Sequence, residues 1–187
     1  MIPKRLLIAN RGEVAIRIAR TAADMGIATV AVFSEDDAAS LHIRKADEAR
    51  ALRGMGVAAY LDIEQIIETA KASECDAIHP GYGFLSENPE FARKCLNVGM
   101  MFIGPSPEQL ELAADKLRAR ALATDCGVPV LPASDPPVTL GEAREFFAGL
   151  DSGCGMMIKA VAGGGGRGMR EVFQPGQIDD AYAQMPI

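Results

Sequence analysis

Gly163, Gly164, Gly165 and Gly166 run without interruption into Arg167 and Gly168. Glycines lack side chains, so successive backbone N–H groups can close on an anion. That is what holding a polyphosphate requires. Lys159 stands a few residues upstream, and a cation there can pair with a phosphate. The tract is not a Walker A loop, because Met169 and Arg170 follow Gly168 where Lys and Ser/Thr would stand. It also falls between two expected strands, whereas a P-loop runs into a helix. A glycine-rich hairpin of this kind works as a flap over phosphates. Its plain alternative is a flexible surface turn. As a flap without nucleotide it is expected to be mobile, since glycines gain no packing.

Lys116 follows Asp115 at an expected helix break. It reads either as a solvated helix-end lysine or as a cleft residue, since clefts form at domain junctions. Ile78 to Glu87, IHPGYGFLSE, follows a buried strand, where ligand loops of parallel sheets lie. Two readings stand level there. One is a ligand loop; the other is helix entry at Asn88-Pro89 with His79 satisfying a backbone group. Asn10-Arg11-Gly12-Glu13 closes the first strand with one glycine, so the dinucleotide fingerprint G-x-G-x-x-G is absent. Arg11 and Glu13 read as pairing or capping residues. Arg17, Arg20 and Asp24 share a helix face that is either solvated or a subunit contact.

The elements that must position these groups alternate. Strands are expected at Leu6 to Ala9, Ala28 to Phe33, Asp76 to Ile78 and Met100 to Ile103. Helices are expected at Glu13 to Met25 (closed by Gly26), from Asp62 as cap through Lys71, and from Pro89 to Asn97 with Asn88 as cap. Strands alternating with helices predict a parallel sheet covered on both faces up to about Gly104. Pro107 to Cys126 reads as two helices broken near Asp115. Pro129, Pro132, Pro136 and Pro137 then punctuate the chain as a domain boundary would. A helix at Leu140 to Leu150, strands at Met156 to Ala160 and Met169 to Phe173, and a helix from Gln177 follow. So short a second part, ending at Ile187, is hard to stabilise alone, so the chain is expected to be cut from something longer.

The 187 residues are 49% hydrophobic, enough for a real core without Trp. Net charge is −6, with no basic patch for nucleic acid and little attraction to an anionic membrane surface. No transmembrane or secretory stretch is visible. Cys75, Cys95, Cys126 and Cys154 lie at least 20 residues apart and only His42 and His79 could join them, which argues against a zinc site. Free thiols in a reducing cytosol are expected, and hence a cytoplasmic protein.

Taken together, these stretches resemble the biotin carboxylase family: Leu7 to Ala15, His79 to Pro89, Phe102-Ile103-Gly104-Pro105, Asp115-Lys116, and Ile158-Lys159-Ala160 through Gly163 to Met169. They run in family order from about Lys4 to Arg170, and as a set they are specific. The resemblance extends to carboxylases of acyl-CoA, pyruvate or urea. It implies an α/β fold with a Rossmann-like, parallel-sheet pre-ATP-grasp domain over residues 1–113. A linker helix and the start of an incomplete ATP-grasp domain would occupy 114–187.

The activity implied is that of a ligase. ATP phosphorylates bicarbonate to carboxyphosphate, whose breakdown delivers CO2 to the ureido nitrogen of biotin on a carrier domain. Lys116 and Lys159 match the family's nucleotide-binding lysines. Gly163, Gly164, Gly165, Gly166 and Arg167 match its phosphate flap. Their role would be charge stabilisation and positioning during phosphoryl transfer. Catalytic residues, the carboxylates for Mg²⁺ and the groups meeting bicarbonate and biotin are expected beyond Ile187, leaving this segment alone inactive. A carboxyltransferase domain or subunit is an implied partner. So is a second copy, giving a homodimer through the first helix near Arg20 and Asp24. Three departures suggest a divergent branch or a large fused carboxylase. Ala113-Ala114 stand for Met-Gly, Cys154-Gly155 stand for an aromatic-Pro pair, and Glu48 to Ala59 lacks the usual Pro and Ser. Two rival readings are another ATP-grasp ligase such as a carbamoyl-phosphate synthase, and a non-catalytic dimerisation module.

Overall fold

The computed structural model describes residues 2–134, 138–159 and 168–184. The chain divides into two units, Met1–Leu122 and Ala123–Ile187.

In the first unit, strand β1 (Arg5–Ile8) leads to helix α1 (Gly12–Asp24) and β2 (Ala28–Phe33). Then come β3 (Glu48–Ala51), α2 (Gly56–Leu61), α3 (Ile63–Ala72), β4 (Ala77–His79), α4 (Pro89–Asn97), β5 (Met101–Phe102), α5 (Pro107–Ala114) and α6 (Lys116–Asp125), the last crossing the division. The strands pair in parallel in the order β3-β2-β1-β4-β5. Side chains of a strand point alternately to opposite faces. Leu7 accordingly joins Val30, Val32 and Ile78 under Ile66 of α3 and Phe91 of α4. Leu6 and Ile8 join Ala77 on the other face, with Ala15, Ala19 and Ala22 of α1. Helices therefore cover both faces, which is why these strands read as unbroken apolar runs.

The expected element ends have physical causes. Gly26 (φ +71) lies past the end of α1, and the Ile27 and Gly26 amides donate to the Ala22 and Ala23 carbonyls at 2.9 and 3.0 Å. This arrangement occupies carbonyls that the last turn leaves open. The Asp62 carboxylate accepts from the Gln65 amide at 3.0 Å. The Asn88 side chain accepts from the Phe91 amide at 2.9 Å, just ahead of Pro89. The break between α5 and α6 falls at Asp115, whose carboxylate accepts from the Leu117 and Arg118 amides at 3.0 and 3.1 Å.

Two elements were not expected, β3 and α2. Strand β3 has the sequence Glu-Ala-Arg-Ala and no fully buried side chain. It is an edge strand, held by four paired positions with β2 and by pairing of Glu48 with Arg5. Charges on such an edge discourage further strand addition. They also erase the apolar run that would reveal a strand.

The second unit holds α7 (Leu140–Ala148), β6 (Met156–Lys159), β7 (Met169–Val172) and α8 (Ile178–Ala183). Thr139 and Glu142 form a reciprocal cap at the start of α7. Strands β6 and β7 pair antiparallel. Val172 and Met156 pack with Ala143, Ile178 and Ala181 in a small core. Helix α7 stops at Gly149, short of Leu150, and a 3-10 turn at Pro175–Gln177 precedes α8 where the helix was expected from Gln177. Among the described residues no helix is long and apolar enough to cross a membrane.

Candidate functional site

The hairpin expected around the glycine tract is present at its base. Lys159 ends β6 and faces Met169, the first residue of β7, across the antiparallel ladder. Two paired strands fix the backbone of Lys159, and its side chain is exposed. Gly168 takes φ +77, a conformation that glycine adopts without a Cβ penalty. Gly163, Gly164, Gly165, Gly166 and Arg167 lie outside the described residues, as does the expectation that the tract is mobile. Lys116 opens α6 directly after the Asp115 cap and is exposed. It belongs to the first unit and Lys159 to the second. Among the described residues no three His, Cys, Asp or Glu side chains come together where they could hold a metal ion. All four cysteines are free thiols, Cys75 and Cys95 buried, Cys126 and Cys154 exposed.

The second concentration of chemistry lies at the carboxyl ends of β1, β2 and β4. In the order β3-β2-β1-β4-β5 the chain reverses direction of growth between β1 and β4. Crevices for ligands form at such switch points. Asn10, after β1, is buried and ties the two loops together. Its amide donates to the Pro80 and Tyr82 carbonyls at 2.7 and 2.9 Å, and its side-chain oxygen accepts from the Arg11 amide at 2.9 Å. Gly81 (φ +69) presses against it, and a Cβ there would lie 2.6 Å from the Asn10 nitrogen. The His79 Nδ1 accepts from the Gly81 amide at 3.0 Å. Burial lowers the His79 pKa, which keeps the ring neutral and that nitrogen free to accept. His79 does satisfy a backbone group, as one reading of the loop had it.

Phe84, on the same loop, has φ +45. For an aromatic residue the left-handed region costs about 1–2 kcal/mol. Its ring stacks on Tyr60 of α2 with centroids 5.2 Å apart and planes 7° from parallel. The Arg11 guanidinium lies 5.8 Å from the Tyr60 centroid and 6.0 Å from that of Phe84. Arg11 also pairs with Asp37 at 3.1 Å, and the Tyr60 hydroxyl donates to the same carboxylate oxygen at 2.8 Å. Burial, and secondarily the bond to Asp37, push the Tyr60 phenol up to about 12. Arg11 and Glu13 therefore do not pair with one another. Glu13 instead accepts from the Tyr82 hydroxyl at 3.0 Å and sits 3.7 Å from Arg17. Sequence reasoning singled out neither Asp37 nor Tyr60. The signal available was the polar run Ser34 to Asp37 directly after β2, at the ligand-bearing end of a parallel sheet.

Burial alone would raise the Asp37 pKa, but hydrogen bonds from Tyr60, Arg11 and Ser40 and the Arg11 charge outweigh it, and the net shift is downward. A carboxylate with a lowered folded-state pKa stabilises the fold above its unfolded value, near 3.9, and loses that contribution as pH falls through the folded one. Asp37→Asn should cost about 1.5–3 kcal/mol at neutral pH, the order of a hydrogen bond to a charged group. It should also lose less stability than the parent as pH falls from about 5 to below the ordinary carboxylate value near 3.9, since the unfolded chain takes up the proton before the folded one. Urea unfolding across that range checks this, and parallel curves for the two proteins would contradict it.

Comparison with known proteins gives two family matches. Residues 2–110 match the biotin carboxylase N-terminal domain, and residues 115–185 match the carbamoyl-phosphate synthase L chain ATP-binding domain. Pyruvate carboxylase of Staphylococcus aureus is 50% identical over 181 residues, which are 96% of this chain and 16% of that protein. The chain therefore spans about a sixth of the length of such relatives. A biotin carboxylase–βγ-ATP complex from Campylobacter jejuni superposes with a TM-score of 0.90 at 40% identity, covering 97% of this chain and 41% of that one. The biotin carboxylase domain dimer of Hydrogenobacter thermophilus 2-oxoglutarate carboxylase, in complex with MgADP, ADP and bicarbonate, superposes with a TM-score of 0.84 at 38% identity, covering 98% and 41%.

Proposed function

This chain belongs to the biotin carboxylase family, and from that membership we propose that it forms the front part of an ATP-dependent ligase that carboxylates biotin. The observation that carries the reading is the match of residues 2–110 to the family's N-terminal domain together with 50% identity to a pyruvate carboxylase. ATP and bicarbonate form carboxyphosphate and ADP. Carboxyphosphate releases CO2 and phosphate, and the ureido nitrogen of carrier-bound biotin takes up the CO2 as it gives up its N–H proton to the released phosphate. The nucleotide and bicarbonate named in the complexes of the two neighbours support this pair of substrates. Mg²⁺ would screen phosphate charge during the transfer.

Residues 1–113 are the pre-ATP-grasp domain in this reading, and 114–187 the linker helix and start of an ATP-grasp domain. Lys159 and the flap of Gly163, Gly164, Gly165, Gly166 and Arg167 hold phosphate, and Lys116 is a second nucleotide-binding cation. A biotinylated carrier and a carboxyltransferase domain or subunit are the partners, and the protein works in the cytoplasm. It dimerises through α1, whose Arg17, Arg20 and Asp24 are exposed on the side away from Ala15, Ala19 and Ala22. A dimeric neighbour supports that association. The match of the second part to a carbamoyl-phosphate synthase domain reflects a shared way of binding ATP, while the front-domain match favours the biotin enzyme. The test is ADP release by the complete carboxylase with bicarbonate, with and without free biotin. Stimulation by biotin is expected. Stimulation by ammonia and none by biotin would replace this reading with the synthase.

A further inference from the structure

We propose that Tyr60, fixed by Asp37 and Arg11, is a positioning residue that holds the His79–Ser86 loop in its working shape through the ring of Phe84. The inference rests on the ligase reading above and adds a control on substrate handling that no phosphate-binding residue supplies. Three observations carry it. Phe84 occupies a backbone region that side-chain-bearing residues avoid, so something outside the loop must hold it there. The aromatic ring stacked on it, that of Tyr60, is fully buried, and its hydroxyl is bonded to Asp37. Arg11 lies over both rings and pairs with the same Asp37.

The four side chains come from the ends of β1, β2 and β4 and from α2. Together they close one side of the loop at the switch point between β1 and β4, where a ligand crevice forms. Asn10 secures the first half of the loop by hydrogen bonds to the Pro80 and Tyr82 carbonyls, with Gly81 packed against it. The Tyr60–Phe84 stack secures the second half, where the Ser86 amide donates to the Gly83 carbonyl at 2.9 Å. Between these two anchors Tyr82 stands exposed, its hydroxyl on Glu13. A shift of about 1 Å in such a supporting contact can cost a hundredfold in rate. None of the residues assigned to phosphate belongs to this network, so its loss should spare ATP binding.

The test uses the complete carboxylase with Phe84→Gly and Phe84→Tyr. Glycine relieves the left-handed backbone and deletes the ring, so folding is spared while the stack is lost. Phe84→Gly should lower biotin-dependent turnover at least about tenfold with the KM for ATP unchanged within about twofold, the signature of an interaction outside the nucleotide site. Hydrogen exchange at the Gly83–Asn88 amides should quicken while β1, β2 and β4 stay protected. Phe84→Tyr, which keeps the ring, should restore both readouts. Tyr60→Phe, which keeps the stack and loses the bond to Asp37, should fall between. Full biotin-dependent turnover in Phe84→Gly with the loop amides exposed would show that loop shape is not needed. Unchanged loop protection in Phe84→Gly would show that the stack does not hold the loop. Either overturns the proposal and leaves the ligase reading standing. A parent enzyme that does not respond to biotin would sink the ligase reading instead, and with it the role in turnover.

Discussion

Lys159→Gln in the complete carboxylase is expected to weaken ATP binding, or slow ATP cleavage, by ten- to more than a hundredfold while leaving the fold intact. The hairpin explains the size of the effect. Lys159 is the last residue of β6 and is paired with Met169 of β7, so its ammonium is carried on a braced strand. A charged group on a rigid element holds its position better than one on a loop. The neighbouring glycines offer N–H dipoles, and Arg167 is the nearest other formal charge in the tract. Removing one charge-assisted contact costs roughly 1.5–3 kcal/mol, which is the stated range in affinity. Glutamine keeps most of the apolar stem, so lost packing contributes little. Lys71→Gln, in the exposed last turn of α3, is the control and should change neither quantity. Equal ATP affinity and biotin-dependent turnover in Lys159→Gln and the parent, at matched melting temperature, would remove Lys159 from the phosphate site.

Gly81→Ala should destabilise the first unit by about 2–4 kcal/mol, lowering its melting temperature by about 5–15 °C. Two costs combine. Alanine at φ +69 meets the left-handed penalty of about 1–2 kcal/mol. Its Cβ would also lie 2.6 Å from the Asn10 side-chain nitrogen and 2.9 Å from its Cγ. Asn10 cannot step aside without giving up its bonds to the Pro80 and Tyr82 carbonyls, in a buried place where unsatisfied groups cost about 1–3 kcal/mol each. Gly83→Ala separates the two terms. It has nearly the same backbone (φ +65) and nothing within 4 Å of the added carbon, so only the conformational penalty applies. Thermal unfolding of both variants should rank Gly81→Ala well below Gly83→Ala. Equal melting temperatures would mean that the Asn10 contact yields freely and does not tie the two loops together.

What the sequence disclosed and what it hid follow from where each signal is written. The termini of α3, α4 and α6 were legible because Asp62, Asn88 and Asp115 act on amides two or three residues away. The buried strands were legible because both of their faces are apolar. Strand β3 was not, because an edge strand of Glu, Ala and Arg gains its identity from β2, which precedes it by fifteen residues. Of the candidate site, the hairpin around Lys159 and the break before Lys116 could be read from neighbouring residues. The Asp37–Tyr60–Arg11–Phe84 network could not. It joins residues up to 73 positions apart, through contacts that only the parallel sheet creates. Neither Tyr60 nor Asp37 stands in a motif of its own. Phe84 could be placed in the loop, but its positive φ belongs to the stack that restrains it.

The most direct measurement of the central claim follows the carbon of isotopically labelled bicarbonate. The complete carboxylase is incubated with ATP, labelled bicarbonate and free biotin, with ammonia present in a parallel reaction. The account predicts label on the ureido nitrogen of biotin, at least one ADP per labelled biotin, and no labelled product that depends on ammonia. Label appearing only with ammonia, as carbamoyl phosphate, or ATP cleavage that biotin does not affect, would contradict it.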